Sequence, residues 1–372
     1  MIFGENSSRF RARASIVTRA MVGGAFVASL VLPIGAAAQS TPEPVTPDLA
    51  SLKAQMITNI TDMKTGTTEV LAFAQWYYDQ AKAVNFDYQA LWDQQHDEIV
   101  SRLTAARAAW VNEAHANYEL SEGLVAGVPS LSSFDALIDA GPSGADDPTN
   151  ALDITLDLPD GTKLEKPGNY FHQVTEPALW GTNDAFVGLA IDMDSDGTIE
   201  VGEALPNANV LIAGATALDN ATGELATAIN EWEPSLSDAF TALVNMIPTM
   251  EGYFNEWKLS SFVMGSQSEE RSFVASSRLV DVLGILSGLN LTYSKLQPLV
   301  ESADPAMATQ IEAGMTNMMT FVQDLLDKEN GGTRFTPEEA DLYGKSLQDQ
   351  AATTAGLVTQ AAALLEISLE SE

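Results

Sequence analysis

Asp304-Pro-Ala-Met-Ala-Thr-Gln-Ile-Glu-Ala-Gly-Met-Thr-Asn-Met-Met-Thr-Phe-Val-Gln-Asp-Leu-Leu-Asp-Lys328 and, after a short break, Thr336-Pro-Glu-Glu339 are the residues on which the fold turns. Each begins with a side chain able to accept a hydrogen bond from the first free amides of a helix. Each then places proline at the first helical position, where a missing N–H costs nothing. Thr336 with Glu339 also forms a capping box. These signals predict helices over about 304–328 and 336–369. A helix over about Glu269–Val300 precedes them. Before it, Ser237 is positioned to cap a helix carrying Phe240, Leu243, Val244 and Ile247 that runs, kinked at Pro248, to Trp257. Four long helices with short connections make an up-down bundle.

Upstream, Asp48 to about Val84 spaces Leu52, Met56, Ile60, Met63, Val70 and Phe73 at helical intervals. A second helix, from about Asp87 to Leu120, aligns Leu91, Ile99, Leu103 and Trp110. Residues 121–170 break the pattern with Gly127-Val-Pro129, Gly141-Pro142 and Asp146-Asp147-Pro148. Within that stretch, Asp153-Ile-Thr-Leu-Asp-Leu158 and Thr162-Lys-Leu-Glu165 flank Asp160-Gly161, the pattern of a small β-hairpin. Helical pattern returns near Glu176 and over Asn209–Glu231, and stops at Glu233-Pro234. The expected fold class is all-α with two helical bundles. The first covers 48–233 and holds the irregular insert and an acidic loop; the second is the four-helix bundle of 234–372.

The 372 residues include 18 Lys and Arg against 51 Asp and Glu, a formal net charge of -33. A surface this negative repels phosphate, which excludes nucleic acid as a partner and favours cations. With 45% hydrophobic residues the composition is that of a folded protein. Residues 1–38 read as an export signal: Arg9, Arg11, Arg13 and Arg19, an apolar core over Met21–Leu32, and small residues Ala36-Ala37-Ala38 for cleavage. Residues 39–47 follow as a linker, and the expected location is periplasmic or secreted. There is no cysteine, so a metal must be held by oxygen ligands or by His96, His115 and His172.

The sharpest local motif is Asp192-Met-Asp194-Ser-Asp196-Gly197-Thr198-Ile-Glu200-Val-Gly-Glu203. It has the spacing of a twelve-residue calcium loop: alternate carboxylates at Asp192, Asp194 and Asp196, a turn glycine, the carbonyl of Thr198, Glu200, and a bidentate Glu203. The alternative is an acidic surface loop. Pro206 shortens any exiting helix and no second such loop is present, so the motif reads as a structural Ca²⁺ clip. A second group, His115, Glu119 and Glu122, occupies one helix face at i, i+4 and i+7, with Tyr118 beside it. Bundles build iron and other divalent-metal sites from such residues; a solvated face is the alternative. His172 and Glu176 meet if their segment is helical. No His-Glu-x-x-His or Gly-x-Ser-x-Gly motif supports hydrolase chemistry. Trp76, Tyr77, Tyr78, Trp110 and Trp257 read as packing residues, and His96 as a surface residue.

Tyr253-Phe-Asn-Glu-Trp-Lys258, Ser277-Arg-Leu-Val-Asp281, Gly288-Leu-Asn-Leu-Thr-Tyr293, Pro298-Leu-Val and Arg334-Phe-Thr-Pro-Glu-Glu-Ala340 resemble the imelysin-like family, specifically its EfeO/EfeM type of exported iron-uptake component. The likeness covers about 236–367, with a weaker echo from Tyr118 to Trp180. It implies two helical bundles with a ligand cleft and a role in binding or delivering iron. Tyr118-Glu119-x-x-Glu122 looks like the family's Tyr-Glu-x-x-Glu element, and Glu176 like the Glu of its His-x-x-Glu motif. Gln173 stands where that motif has His, and His172 is displaced by one. The expected ligands of iron are therefore His115, Glu119, Glu122, His172 and Glu176, with an inner-membrane iron permease or another envelope protein as partner. A calcium-dependent envelope interaction protein is the rival function. A peptidase, which the family's label suggests, is the third.

Overall fold

Caps and apolar spacing set the helix limits. Asp48 accepts from Ser51 N and opens α1, Leu49–Ala83, whose buried face contains Leu52, Met56, Ile60, Met63, Val70 and Phe73. The computed structural model describes residues 45–370; the expected export signal and residues 39–44 of the linker lie outside them. Asp87 caps α2, Tyr88–Ala109, which continues through a π-helical turn, Trp110–His115, into α3, Ala116–Val125. The second helix thus extends five residues beyond the Leu120 limit.

The insert contains a single helical turn, α4 (Ser132–Asp135), running into a second π segment, Ala136–Ala140. The expected hairpin follows as β1, Thr155–Asp157, and β2, Lys163–Glu165, antiparallel with Leu156 opposite Leu164. A third π segment, Tyr170–Thr175, leads into the short α5, Glu176–Trp180, which ends at Gly181 in the left-handed region, φ 70°. A second two-stranded sheet, β3 (Val187–Ala190) with β4 (Ala204–Pro206), brackets the acidic loop. The loop is therefore the connection of a β-ribbon, without helices on either side. α6, Ala208–Glu231, then packs along α1.

In the C-terminal half, α7 (Leu236–Met246) is capped by Ser235 in a capping box with Asp238. Ser237 instead donates to the carbonyl of Ser368. Pro248 falls in a 3-10 turn, Ile247–Thr249, before α8, Met250–Leu259. After the short α9, Ser261–Met264, come α10 (Arg278–Ala303), α11 (Pro305–Asn330) and α12 (Pro337–Leu364). The predicted start at Glu269 is nine residues early. Residues 269–277 are irregular because their amides are engaged elsewhere, as described below. The caps at Asp304 and Thr336 are formed as expected. α10 packs against α3 on one side and α11 on the other. Its approach to α3 requires glycine: a Cβ on Gly288 would lie 2.3 Å from the Leu120 carbonyl oxygen, and one on Gly284 2.7 Å from Glu119 Cβ. That close contact brings the acidic face of α3 against α10. Among the described residues no helix is long and apolar enough to cross a membrane.

Candidate metal centre

The three π segments share a purpose in space. A π turn holds an extra residue, re-aims the side chains that follow, and is common at functional sites. Each segment here contributes one member of a buried cluster: His115, Asp139 and His172. α3 adds Glu119 and Glu122. All five are at most 2% exposed, so the solvated-face alternative for His115, Glu119 and Glu122 does not hold.

His115 Nε2 and His172 Nε2 are 3.2 Å apart. Glu119 Oε1 is 3.0 Å from the first and Asp139 Oδ1 is 3.1 Å from the second. Neither contact has hydrogen-bond geometry. Both oxygens of Glu119 and both of Asp139 are buried without a hydrogen-bond partner. The four donor atoms lie within 4.8 Å of one another. Ligands at roughly 2.0–2.2 Å from a small divalent cation are themselves separated by about 3 Å or slightly more, which is the spacing observed.

Outer partners orient these groups. Glu176 Oε2 is 2.7 Å from His172 Nδ1, which fixes the ring with Nε2 toward Asp139. The same carboxylate accepts from the amides of Phe273, Val274 and Ala275 at 2.8–2.9 Å. Glu176 is thus engaged by His172 and these amides and is not among the four converging donors. These three bonds also explain why 269–277 is not helix. His115 Nδ1 faces Asp281 Oδ1 at 3.9 Å, and Asp281 Oδ2 accepts from Arg278 Nη1 at 2.9 Å. Trp110 stacks on His115 with ring centroids 4.9 Å apart, and Phe273 lies 4.3 Å from His172. Trp110, read as core, is therefore core and the wall of the site together.

The electrostatics follow from burial. Desolvation, then Asp281 and Asp139, pushes the Glu119 carboxyl far up. Desolvation and Glu119 do the same to Glu122. Burial drives His115 down. For His172 burial also acts downward, but Asp139 and Glu176 outweigh it and hold the imidazole up at about 10. The reciprocal attraction holds Asp139 down at about 2 against its burial. With its neighbours this is a pocket that attracts positive charge.

The sequence-derived set is brought together at His115, Glu119, Glu122 and His172. His172 occupies the cluster, whereas Gln173 points to Ser272 at 3.4 Å. The π turn places the displaced histidine within reach of Glu176. Tyr118 does not face the imidazoles; its hydroxyl donates to Asp135 at 2.7 Å. Asp139, Asp281, Arg278 and Asp135 are additional members that sequence analysis did not assign. Arg278 and Asp281, three apart on a helix, and Asp135 and Asp139, four apart, were the available signals. One side of the cluster opens to a cleft of about 1160 Å³ lined by Glu122, Asp139, Tyr253 and Arg278, and also by Lys163 of β2 and Lys166 just after it.

The acidic loop is a different environment. Asp192, Asp194 and Glu203 bring carboxylate oxygens within 4.8 Å of one another at the surface. Asp196 instead accepts from the amide and hydroxyl of Thr198, at 2.8 and 2.7 Å. Glu203 accepts from the amides of Met193 and Glu200, and the Glu200 side chain is not part of the group. Gly197 makes the turn at φ 97° with open space around its Cα. His96 is exposed, as expected.

Fold and cluster together define a helical protein with a buried His and carboxylate centre between its helices. The chain belongs to the imelysin family: the Imelysin model, which also bears the label Peptidase_M75, matches residues 61–367. A comparison with curated proteins returns no match.

Proposed function

We propose that this is an exported, periplasmic metal-binding protein that binds iron and hands it on for uptake, with loop 192–203 as a structural Ca²⁺ site. One observation carries the iron reading: two imidazole nitrogens 3.2 Å apart, flanked by Glu119 and Asp139 oxygens that have no other partner. Mixed nitrogen and carboxylate donors suit first-row transition metals, whereas Ca²⁺ and Mg²⁺ select oxygen alone. Membership of the imelysin family supports a link to iron uptake at the level of the family. The cation is cargo here. Glu176 and Asp281 would orient the imidazoles, Trp110 and Phe273 would exclude water, and the cleft would give access. An inner-membrane iron permease or another envelope protein would receive it.

Metal content and titration of residues 39–372 test this, beside Asp192→Ala and Glu119→Ala. The expected result is iron and calcium in the parent, calcium lost in the first variant and iron in the second. Calcium alone in the parent would retire the iron reading. Two rivals have one supporting observation each. The peptidase label of the family predicts cleavage of a broad peptide library. The exposed Ile199 and Val201 on the acidic loop, 58% and 61% exposed, support calcium-dependent contact with an envelope partner. That reading predicts a pull-down lost on chelation whatever the iron supply.

A further inference from the structure

Asp139 belongs to two groups of converging donors. One is the His115, Glu119, Asp139 and His172 set; the other is Glu122, Asp135 and Asp139, whose carboxylate oxygens also lie within 4.8 Å of one another. We infer that the centre holds two cations, the second bound by Glu122 and Asp135 with Asp139 as the carboxylate shared between them. This inference rests on the iron reading of the first position.

Unpartnered oxygens carry the argument. Glu122 Oε2 and both oxygens of Asp139 are buried without a hydrogen-bond partner, and both residues are only 2% exposed. A single cation among the imidazoles satisfies one side of Asp139 and leaves Glu122 Oε2 without a donor. A buried carboxylate oxygen without a partner costs several kcal/mol, of order 1–3 even for a neutral acid. Arg278, a buried guanidinium on α10, makes no hydrogen bond to Glu122 or Asp139. Its Nε is bound to Glu256 at 2.8 Å and its Nη1 to Asp281 at 2.9 Å. Two phenols orient the outer ligands as outer-shell donors do. Tyr253 donates to Glu122 Oε1 at 2.5 Å, leaving Oε2 free, and Tyr118 donates to Asp135.

The two positions differ in chemistry and access. The first has two nitrogens and is enclosed by Trp110, Phe171 and Phe273. The second is all oxygen, and its ligands Glu122 and Asp139 line the cleft, as does Tyr253. A cation entering from the cleft reaches the oxygen position first. The second position is therefore the entry and exit point, and Asp139 is the ligand across which a cation passes to or from the imidazole position.

Stoichiometry decides the matter. In anaerobic Fe²⁺ titrations, wild type and Asp192→Ala, which removes any contribution of the exposed loop, are each expected to bind two equivalents at this centre. Asp135→Asn and Glu122→Gln are each expected to weaken one equivalent roughly 100-fold and leave the other within about threefold. His172→Ala should show the opposite loss. Mn²⁺ loaded into Asp192→Ala should give the spectrum of a spin-coupled pair, at the roughly 3.5–4 Å separation of two-metal sites. Added Asp135→Asn should convert it to that of an isolated ion. One equivalent in Asp192→Ala, unchanged by Asp135→Asn, overturns the second position and leaves the first standing. No uptake at all overturns both. Circular dichroism reports folding of each variant, and the spin-coupling measurement on Asp192→Ala needs no substitution at the centre.

Discussion

Two groups of acidic residues in this molecule share their side-chain chemistry and differ in what surrounds them. Around Asp139, buried carboxylates surround two imidazoles that pack on Trp110, Phe171 and Phe273, and several carboxylate oxygens meet no donor. In loop 192–203 the carboxylates are in water, and backbone amides of the loop itself already bind Asp192, Asp194, Asp196 and Glu203. Burial converts negative charge into a demand for a cation. Solvent and local amides weaken that demand, so an ion at the exposed loop stabilises the fold less than one at the buried centre. The lesson is that an acidic cluster declares a cation site through what it lacks.

The strongest way to break this comparison is to remove a donor from each region. His172→Ala should lower affinity for iron at the buried centre by roughly 100-fold or more, read by calorimetry. Asp192→Ala should leave it unchanged. Next, Glu176→Gln keeps every converging donor but disturbs the ring orientation of His172. A 10–100-fold loss is expected; an unchanged affinity would show that Glu176 serves only the 273–275 backbone.

A pH series sharpens the contrast. His172 stands at about 10 in the metal-free fold against about 6.5 in the unfolded chain. The folded state holds that proton through the interval between them, so the pairing stabilises fully below pH 6.5 and is lost as pH rises through 10. Binding a cation at Nε2 expels the proton. Affinity should therefore rise with pH below 10, about tenfold per unit for each proton released. Iron calorimetry in buffers of different ionisation heat checks this. Calcium binding at the loop should show a flat profile over pH 7–9.

Smaller effects concern the scaffold. Gly288→Ala forces a Cβ toward the Leu120 carbonyl and should cost about 1–3 kcal/mol in denaturant unfolding, with iron affinity reduced because α3 carries Glu119. The smallest change belongs to the loop: chelating calcium should lower Tm by no more than a few degrees, consistent with about 1 kcal/mol at a surface site. A collapse of the fold on chelation would contradict the exposed, self-satisfied loop described above.

Much of the fold was legible. The caps at Asp304 and Thr336, and the hairpin turn at Asp160-Gly161, depend on neighbours within a few residues, so local pattern finds them. Ser235 and Ser237 both lie just ahead of the apolar run at Ala239-Phe240, and the reciprocal Ser235–Asp238 bond distinguishes them. Glu269–Ser277 has helical pattern yet is irregular, since its amides bind Glu176 from a distant segment. For the site, the face of His115, Glu119 and Glu122 was visible from spacing. Asp139 was not, because it lies in an interrupted stretch whose π turn aims it inward.

What the sequence by itself determined is the set of helices, their caps, the acidic loop and the absence of thiol ligands, all consequences of local chemistry and composition. Only the tertiary structure decided which acids are buried and unpartnered. Glycines at 284 and 288 bring α10 against Glu119, and the 273–275 amides capture Glu176. Whether a carboxylate demands a cation depends on the dielectric and donors around it, and those are supplied by residues far away in the chain.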